Sequence, residues 1–475
     1  GDASAVNIGS STGGQNALYG LSVSGDAQTE TTLFTNHIYG TNYGVWVSGT
    51  TVTLTGSDTN TYKTITGTNK DGAYVENGSL SLSNYSVFGE ANGVTVNQSA
   101  ASLTGISLDN DQDAGDIGLQ VGKSGVSTVT LDTATVLGNV GIQIDSGSSL
   151  TLKNGITVTG LTRGVSVLDG SVTNYASGVY SVGSANLVKG TGTNSFALFV
   201  QKGTVNLDSY TFDAAVTGGT GVETADTDSA TVKLSYDTVS GKDNAYVWGD
   251  QNGIIVGRNT IMTLSDYKVF GGNAIDPIIV TSGGLGAQVK GELRLGGVNQ
   301  FLGGTCGIDV YGGTLTNYMI GSDWTMNEKA DSAAPSGSGN IFSGALSASV
   351  ALKAESNGAG QTPTVVLGNY NLVSSGTSTE SHGLFAAGGR VFLSGDASAP
   401  QYQVTGGGTG YGVYVSGAAT QVAIRNMQLT AKASYSGQVD SGALSLGTGV
   451  TLKINDSSGT ATINGNSLTN AQLFV

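Results

Sequence analysis

The chain has 475 residues, a formal net charge of −15 and only 11% charged residues. It contains 76 Gly but only 4 Pro and 1 Cys. Disordered chains are rich in Pro and in charge, so this composition predicts a folded chain. The negative field repels polyanions and argues against nucleic acid as a partner. A single cysteine excludes an intrachain disulfide framework. The sequence contains no run of 18 apolar residues, so no transmembrane helix is predicted.

A first strand motif, a Gly followed by alternating apolar residues, recurs along nearly the whole chain. Copies begin at Gly20, Gly44, Gly72, Gly93, Gly118, Gly141, Gly164, Ala197, Gly221, Gly253, Gly286, Gly307, Gly383, Gly412 and Gly442. Most spacings between copies are roughly 21 to 33 residues, which is a period typical of solenoids, propellers and arrays.

Two further strands follow in each copy. The second alternates Val or Leu with Thr, Ser or a charged residue, as in residues 51–54, 79–82 and 292–295. The third begins with Asn or Asp before Tyr, as in residues 84–87 and 266–269. We expect the Asn and Asp side chains to hydrogen-bond along a stack of coils and the Tyr rings to stack there.

Three short strands per copy predict an all-β parallel β-helix in which one copy forms one three-strand coil. A β-propeller is the alternative, and it fits less well because each blade needs four strands and roughly 40–50 residues. We predict a single β-helix domain over residues 1–475. Loop insertions are expected near 105–117, 240–252, 271–285 and 321–343, on the side of the solenoid that carries function.

The densest acidic group is a candidate ligand site formed by Asp109, Asn110, Asp111, Asp113 and Asp116. Asp109, Asp111 and Asp113 are spaced like positions 1, 3 and 5 of a Ca²⁺-binding loop, but the Gly and the distant Glu of an EF-hand are absent. We therefore predict a solvated acidic loop and no metal site.

A second candidate ligand site has mixed charge, and it is expected to suit a sugar or a protein partner. Its residues are Lys242, Asp243, Asn244, Asp250, Arg258, Lys290 and Arg294.

No catalytic residues and no cofactor are predicted. The chain has two histidines, His37 and His382, and no nucleophile motif around a Ser. We expect both histidines at the surface without a special role, and Cys306 as a small buried thiol. Carboxylate chemistry of the kind found in polysaccharide lyases and hydrolases is the enzymatic alternative.

Over its whole length the sequence resembles the passenger domains of bacterial autotransporters, most closely the adhesins related to AIDA. The resemblance rests on the Gly-Val-x-Val and Leu-x-Leu repeats, the Ser, Thr, Gly and Asn content, the acidity and the near absence of Cys. It implies a right-handed, pectin-lyase-like β-helix that is secreted through its own C-terminal membrane barrel and exposed on the cell surface. No ligand-binding motif transfers residue by residue.

The resemblance implies a non-enzymatic surface adhesin that binds host matrix components, fibronectin and glycosaminoglycans, along an elongated face. Gly1 is then expected to be a mature N terminus. Self-association that drives cell aggregation and biofilm formation is one alternative, and a polysaccharide lyase or hydrolase is another. The net charge of −15 is unfavourable for a polyanionic glycosaminoglycan, so such binding requires local cations or many neutral hydrogen bonds.

Overall fold

The structure is a computed structural model. It describes residues 5–8, 18–25, 31–33, 37–56, 63–109, 113–174, 186–236, 246–272, 274–276, 279–280, 283–317, 341–395, 402–431, 437–439, 441, 443–446, 451–454, 463–464 and 472–473. All regular elements among these residues are β-strands. No helix that could cross a membrane occurs among them.

The chain divides into two compact units, residues 1–216 with 229–231 and residues 217–228 with 232–475. Unit 1 contains the strands β1 (Ala5–Ile8), β2 (Tyr19–Ser24), β3 (Thr31–Leu33), β4 (His37–Gly40), β5 (Tyr43–Ser48), β6 (Thr51–Thr55), β7 (Lys63–Gly67), β8 (Ala73–Glu76), β9 (Ser79–Ser83), β10 (Tyr85–Gly89), β11 (Asn92–Asn97), β12 (Ala100–Asp109), β13 (Ile117–Val121), β14 (Thr128–Ile144), β15 (Ser148–Leu152), β16 (Ile156–Val167), β17 (Gly170–Asn174), β18 (Asn186–Gly190), β19 (Phe196–Val200), β20 (Gly203–Asp208) and β21 (Tyr210–Ala214).

Unit 2 contains the strands β22 (Thr220–Thr224), β23 (Ala230–Ser235, with its first two residues assigned to unit 1), β24 (Tyr246–Gly249), β25 (Asn252–Val256), β26 (Thr260–Ser265), β27 (Lys268–Gly271), β28 (Ala274–Asp276), β29 (Ile279–Val280), β30 (Leu285–Val289), β31 (Glu292–Gly296), β32 (Gln300–Gly303), β33 (Cys306–Tyr311), β34 (Thr314–Thr316), β35 (Ile341–Gly344), β36 (Val350–Glu355), β37 (Thr364–Gly368), β38 (Asn371–Ser374), β39 (Leu384–Ala387), β40 (Arg390–Ser394), β41 (Tyr402–Thr405), β42 (Val413–Val415), β43 (Gln421–Arg425), β44 (Met427–Ala431), β45 (Gly437–Val439), β46 (Ala443–Leu446), β47 (Thr451–Ile454), β48 (Ile463–Asn464) and β49 (Gln472–Leu473).

Each coil of unit 1 has three strand segments, which are continuous across a bend in the long strands β12, β14 and β16, and the segments pair in parallel with those of the next coil. Thus β5 pairs with β8, β6 with β9 and β7 with β10, all in register. We call the three stacks of strands face 1, face 2 and face 3, after β5, β6 and β7 respectively. The exception to parallel pairing in unit 1 is β1, which runs antiparallel to β2.

The interior of unit 1 is a column of aliphatic side chains, because alternate residues of every strand point inward. Val45, Leu54 and Ile65, one from each face of one coil, are all 0% exposed. The neighbouring Thr and Ser residues on face 2 are half-buried on the outside. Each fully buried Val, Leu or Ile contributes about 1.5–3 kcal/mol, so the repeated pattern supplies most of the stabilising free energy.

The bend from face 2 to face 3 is a single residue in the left-handed backbone region. Asn84 (φ 60°), Asp266 (φ 63°) and Asn369 (φ 62°) all occupy this bend. Asn and Asp tolerate that conformation better than other residues with a Cβ, which explains why they precede Tyr in the third strand. The predicted bonding along the stack also occurs, because Asp266 Oδ1 accepts a hydrogen bond of 2.8 Å from the Val298 amide.

Unit 2 repeats this architecture. Its face 1 is formed by β22, β25, β30, β33, β36, β39, β42, β45 and β48, which pair in parallel in that order. Its core includes a run of aromatic rings. The centroid of the Phe342 ring lies 5.3 Å from that of Phe301 and 4.6 Å from that of Tyr370. These features confirm the predicted all-β parallel β-helix with three-strand coils. The prediction of one continuous domain over residues 1–475 stays a prediction.

The predicted insertions are described in part. Residues 321–340 and 240–245 lie outside the described residues. The insertion at 271–285 contains the short antiparallel pair β28 and β29, which differs from the parallel coils on either side. Within the insertion predicted at 105–117, residues 105–109 lie in β12, which pairs in register with β14. The residues after the undescribed segment form a turn in which the Asp116 amide donates a hydrogen bond of 3.1 Å to the Asp113 carbonyl.

Candidate functional site: a cleft on face 1 of unit 2

A cleft of about 570 Å³ opens on face 1 of unit 2, and we call it the cleft from here on. Its floor is formed by outward positions of consecutive coils. Asp309 of β33, Lys353 of β36, Phe385 of β39 and Tyr414 of β42 follow one another in register. The third position of the Gly-Val-x-Val repeat is therefore the position that supplies the floor of the cleft.

A second row of cleft-lining residues lies where each coil enters face 1. Leu285, Cys306 and Val350 are in register there. His382 and Tyr411 continue this row, and each lies two residues before its strand, β39 or β42.

The wall of the cleft is made by the turns that connect face 3 to face 1. Ala348, Thr379 and Glu380 of these turns line the cleft and are exposed. Hydrogen bonds between turns hold the wall in place. The Ser381 hydroxyl donates to the Ser347 carbonyl at 2.6 Å, and the Ser378 amide donates to the same carbonyl at 2.7 Å.

Four rings form a parallel block at one end of the cleft. His382 and Phe385 belong to one coil, and Tyr411 and Tyr414 belong to the next. Between the coils, the rings of His382 and Tyr411 have centroids 5.5 Å apart and Phe385 and Tyr414 have centroids 5.4 Å apart. In the preceding coil the corresponding residues are Val350 and Lys353, so the aromatic block ends there and the cleft begins.

His382 is neutral at physiological pH. It is 5% exposed, and burial lowers its pKa to about 4. Its Nδ1 accepts a hydrogen bond of 3.2 Å from the Tyr411 backbone amide. Nδ1 is therefore the acceptor, and the proton of the neutral ring is on Nε2. The expectation that His382 lies at the surface was wrong, and its lack of a special role stays a prediction. His37 is exposed as expected, with its Nδ1 2.7 Å from Thr64 Oγ1.

Asp309 is a buried carboxyl group that accepts a side-chain hydrogen bond from Gln288 and lies near the charges of Lys353 and Glu355. Its side chain is 7% exposed, and its Oδ1 has no hydrogen-bond partner among the described residues. Burial raises the pKa of Asp309 to about 6, against the opposing effect of Lys353. Lys353 Nζ instead makes an ion pair with Glu355 Oε1 at 2.7 Å. Desolvation alone would lower the pKa of Lys353, but Glu355 and Asp309 together raise it.

Cys306 is a buried thiol, as expected from the sequence. It is 3% exposed, and its Sγ lies 3.1 Å from the Ile308 carbonyl oxygen. Burial, with a smaller contribution from Asp309, raises the pKa of Cys306 well above its ordinary value. The thiol is thus a poor nucleophile and serves as an apolar part of the cleft lining.

The first predicted ligand group belongs to unit 1, and none of its described residues lines the cleft. Asp109 ends β12 and is exposed, and Asp113 is also exposed. Asn110 and Asp111 lie outside the described residues. Asp116 is half-buried, and its carbonyl accepts a hydrogen bond of 3.0 Å from the Val140 amide. In the part of the chain that the structure describes, no three His, Cys, Asp or Glu side chains converge to hold a metal ion.

The second predicted group is divided between several places. Lys242, Asp243 and Asn244 lie outside the described residues. Asp250 Oδ2 accepts a hydrogen bond of 3.0 Å from the Gly218 amide, so it holds a turn.

The structure does bring two residues of that group together at Asp226, which sequence reasoning missed. Lys290 Nζ lies 3.2 Å from Asp226 Oδ2, and the Arg258 amide donates to Asp226 Oδ1 at 3.3 Å. Arg294 on face 2 pairs with Glu292 instead, at 2.6 Å. The ligand-binding role of both predicted groups stays a prediction.

A row of half-buried rings lies on face 1 of unit 1. Tyr19 stacks on Tyr43 with centroids 5.8 Å apart, and Trp46 lies 5.5 Å from Tyr19. Tyr74 continues the row at 5.4 Å from Tyr43. Lys70 Nζ lies 5.2 Å from the centre of the Tyr43 ring, which gives this aromatic row a cationic edge.

No protein-family model, no curated protein and no solved structure matches this chain.

Proposed function

We propose that the chain is a bacterial cell-surface adhesin of the autotransporter passenger type, and that its cleft binds a host glycan. The observation that carries this proposal is a cleft that is lined by the aromatic block and, two coils from Phe385, by a buried carboxyl group, one oxygen of which has no hydrogen-bond partner among the described residues. Sugar rings present an apolar face and several hydroxyl groups. Such a ligand is bound by one aromatic surface and a few well-placed polar groups, and the cleft offers both.

The charge of the cleft favours one of the proposed partners over another. Lys353 pairs with Glu355, while Asp309 and Glu380 add negative charge to the lining. A polyanionic glycosaminoglycan would therefore be repelled at this site. A glycosylated matrix protein such as fibronectin suits the cleft better, and we propose it as the partner.

The test is a glycan array followed by titration calorimetry with the whole chain and two variants. Phe385→Ala removes one ring of the aromatic block. The control Ile261→Ala removes a 37% exposed side chain from β26 on face 2 of the same unit. We expect Phe385→Ala to weaken glycan binding by several-fold to about tenfold, because an aromatic contact contributes about 0.5–1.5 kcal/mol. The proposal would be overturned if the unmodified chain bound no glycan on the array, or if both variants bound a glycan equally well.

Self-association is a second candidate, and the aromatic row on face 1 of unit 1 supports it. Half-buried rings such as Tyr19 and Trp46 gain contacts when a second copy covers them. Sedimentation of the chain over a concentration series, compared with Trp46→Ser, tests this candidate. A monomer at every concentration argues against it.

A further inference from the structure

The carboxyl group of Asp309 is only partly compensated. Gln288 donates a side-chain hydrogen bond to it and Lys353 attracts it, but Lys353 makes its ion pair with Glu355. The side chain is more than nine-tenths buried, and its Oδ1 is shielded from solvent without a hydrogen-bond partner in the described part of the chain. A buried carboxylate is costly unless a cation or hydrogen-bond donors compensate it. The structure therefore holds an acceptor in the lining of the cleft that nothing in the described chain fully satisfies.

Lys353, the cation next to Asp309 in register, supplies only part of that compensation. Lys353 follows Asp309 in register, yet its Nζ is paired with Glu355 at 2.7 Å. No ion pair joins Lys353 to Asp309 among the residues that the structure describes. Glu380 adds a further acidic group at the wall of the cleft. The site has three acids, Asp309, Glu355 and Glu380, and one base, Lys353. It therefore carries a net negative charge when its acids are ionised.

The aromatic block is compatible with a positive charge in the cleft. The faces of Phe385 and Tyr414 attract cations through their π-systems. His382, which stacks on both rings, is uncharged at neutral pH and does not repel a cation. The same rings offer an apolar surface to the C–H face of a sugar.

We infer that the ligand of the cleft carries an ammonium group that pairs with Asp309, so that an amino sugar with a free amine is the preferred ligand class. This inference rests on the proposed glycan-binding function and specifies its ligand. An uncharged hexose leaves the carboxylate without a counter-charge. A uronic acid brings a second carboxylate to Asp309 and Glu380 and is repelled.

The experiment compares four sugars of similar size, glucosamine, N-acetylglucosamine, glucose and glucuronate, with the whole chain at pH 7. Binding is measured by saturation-transfer NMR and calorimetry. We expect glucosamine to bind at least tenfold more tightly than the other three. Asp309→Asn should remove this preference. The control Glu292→Gln removes a carboxylate of the same unit that pairs with Arg294 on face 2, and it should keep the preference.

A pH series with the unmodified chain gives a second readout that does not depend on a variant folding. The ionisable groups around Asp309 are Lys353 and Glu355 on β36, Cys306 on its own strand, and His382 and Glu380 beside the cleft. His382 titrates near pH 4 and Cys306 far above neutrality, so neither changes charge between pH 7 and pH 5. As Asp309 takes up its proton, affinity for glucosamine should fall about tenfold over that range.

The outcomes separate the two proposals. If glucose and N-acetylglucosamine bind as tightly as glucosamine, or if glucosamine affinity is constant from pH 7 to pH 5, the amine inference is wrong and glycan binding stands. If none of the four sugars binds and the glycan array is also empty, the proposed function itself is wrong.

Discussion

The rings of His382 and Tyr414 lie parallel in adjacent coils, with an interplanar angle of 10° and centroids 5.0 Å apart. Together with Phe385 and Tyr411 they form the block that closes one end of the cleft. The stacking depends on the coil spacing of a β-helix, because strands about 4.8 Å apart place outward rings one above another. The fold thus builds a flat aromatic surface without any dedicated domain.

His382 and Asp309 should affect the pH dependence of stability in opposite directions. The folded pKa of His382 is about 4, below its ordinary 6.5, so its stabilising contribution is present above pH 6.5 and is lost as the pH falls toward 4. The folded pKa of Asp309 is about 6, above its ordinary 3.8, so stability is lost as the pH rises through 6. Each titration changes the free energy of unfolding by at most about 3 kcal/mol.

Urea unfolding of the whole chain between pH 4 and pH 7 measures these effects as differences between variants. His382→Phe keeps a ring in the block and removes the titrating group, so this variant should become relatively more stable than the unmodified chain as the pH falls. Asp309→Asn should become relatively less stable over the same range. Parallel pH profiles for all three proteins would show that neither group titrates as described.

Cys306 should react slowly with thiol reagents. Its side chain is 3% exposed and its pKa is raised by burial, so both access and the thiolate fraction are low. We expect alkylation at pH 8 to be roughly tenfold or more slower in the folded chain than in urea. As the chain has one cysteine, mass spectrometry reads this site alone. A bound sugar should slow the reaction further, because Cys306 lines the cleft, and rapid labelling of the folded chain would contradict the buried position.

The sequence was sufficient to predict the coil, because inward Val and Leu residues alternate so regularly that only a stacked three-strand arrangement buries them. It was also sufficient to place Phe385 and Tyr414 at equivalent outward positions, since both are third residues of a Gly-led motif. The cleft was less predictable. The strand that contains Lys353 begins at Val350 without a Gly, so its register became visible only in the structure.

The unusual setting of Asp309 could not be predicted from its own motif. Asp309 lines a cleft whose wall is built by turns of unequal length such as residues 375–382. Such turns have no periodicity, so their position over face 1 is a tertiary property. The burial of His382 was also missed, because it lies in such a turn, two residues before its strand, and stacks on Tyr411 and Tyr414 of the next coil.

The left-handed bend can be tested at Asn84, where φ is 60°. Asn84→Val should destabilise unit 1 by about 1–2 kcal/mol, because a β-branched residue is strained in this region of backbone conformation. Asn84→Gly should cost much less, since Gly adopts positive φ readily. Thermal or urea unfolding compares the two variants. If Val and Gly destabilise equally, the side chain of Asn84 matters for its hydrogen bonds rather than for its conformation.

The interaction energy between Lys290 and Asp226 should be small and should fall with added salt. Its atoms are 3.2 Å apart, and the side chains are 23% and 39% exposed, so the charges are partly screened by water. A double-mutant cycle with Lys290→Met and Asp226→Asn should give a coupling of about 0.5–1 kcal/mol that falls in about 1 M salt. The matched control is the more exposed pair of Arg294 and Glu292, for which a smaller coupling is expected. A coupling of zero between Lys290 and Asp226 would contradict this prediction and would show that their ion pair adds no stability to the fold.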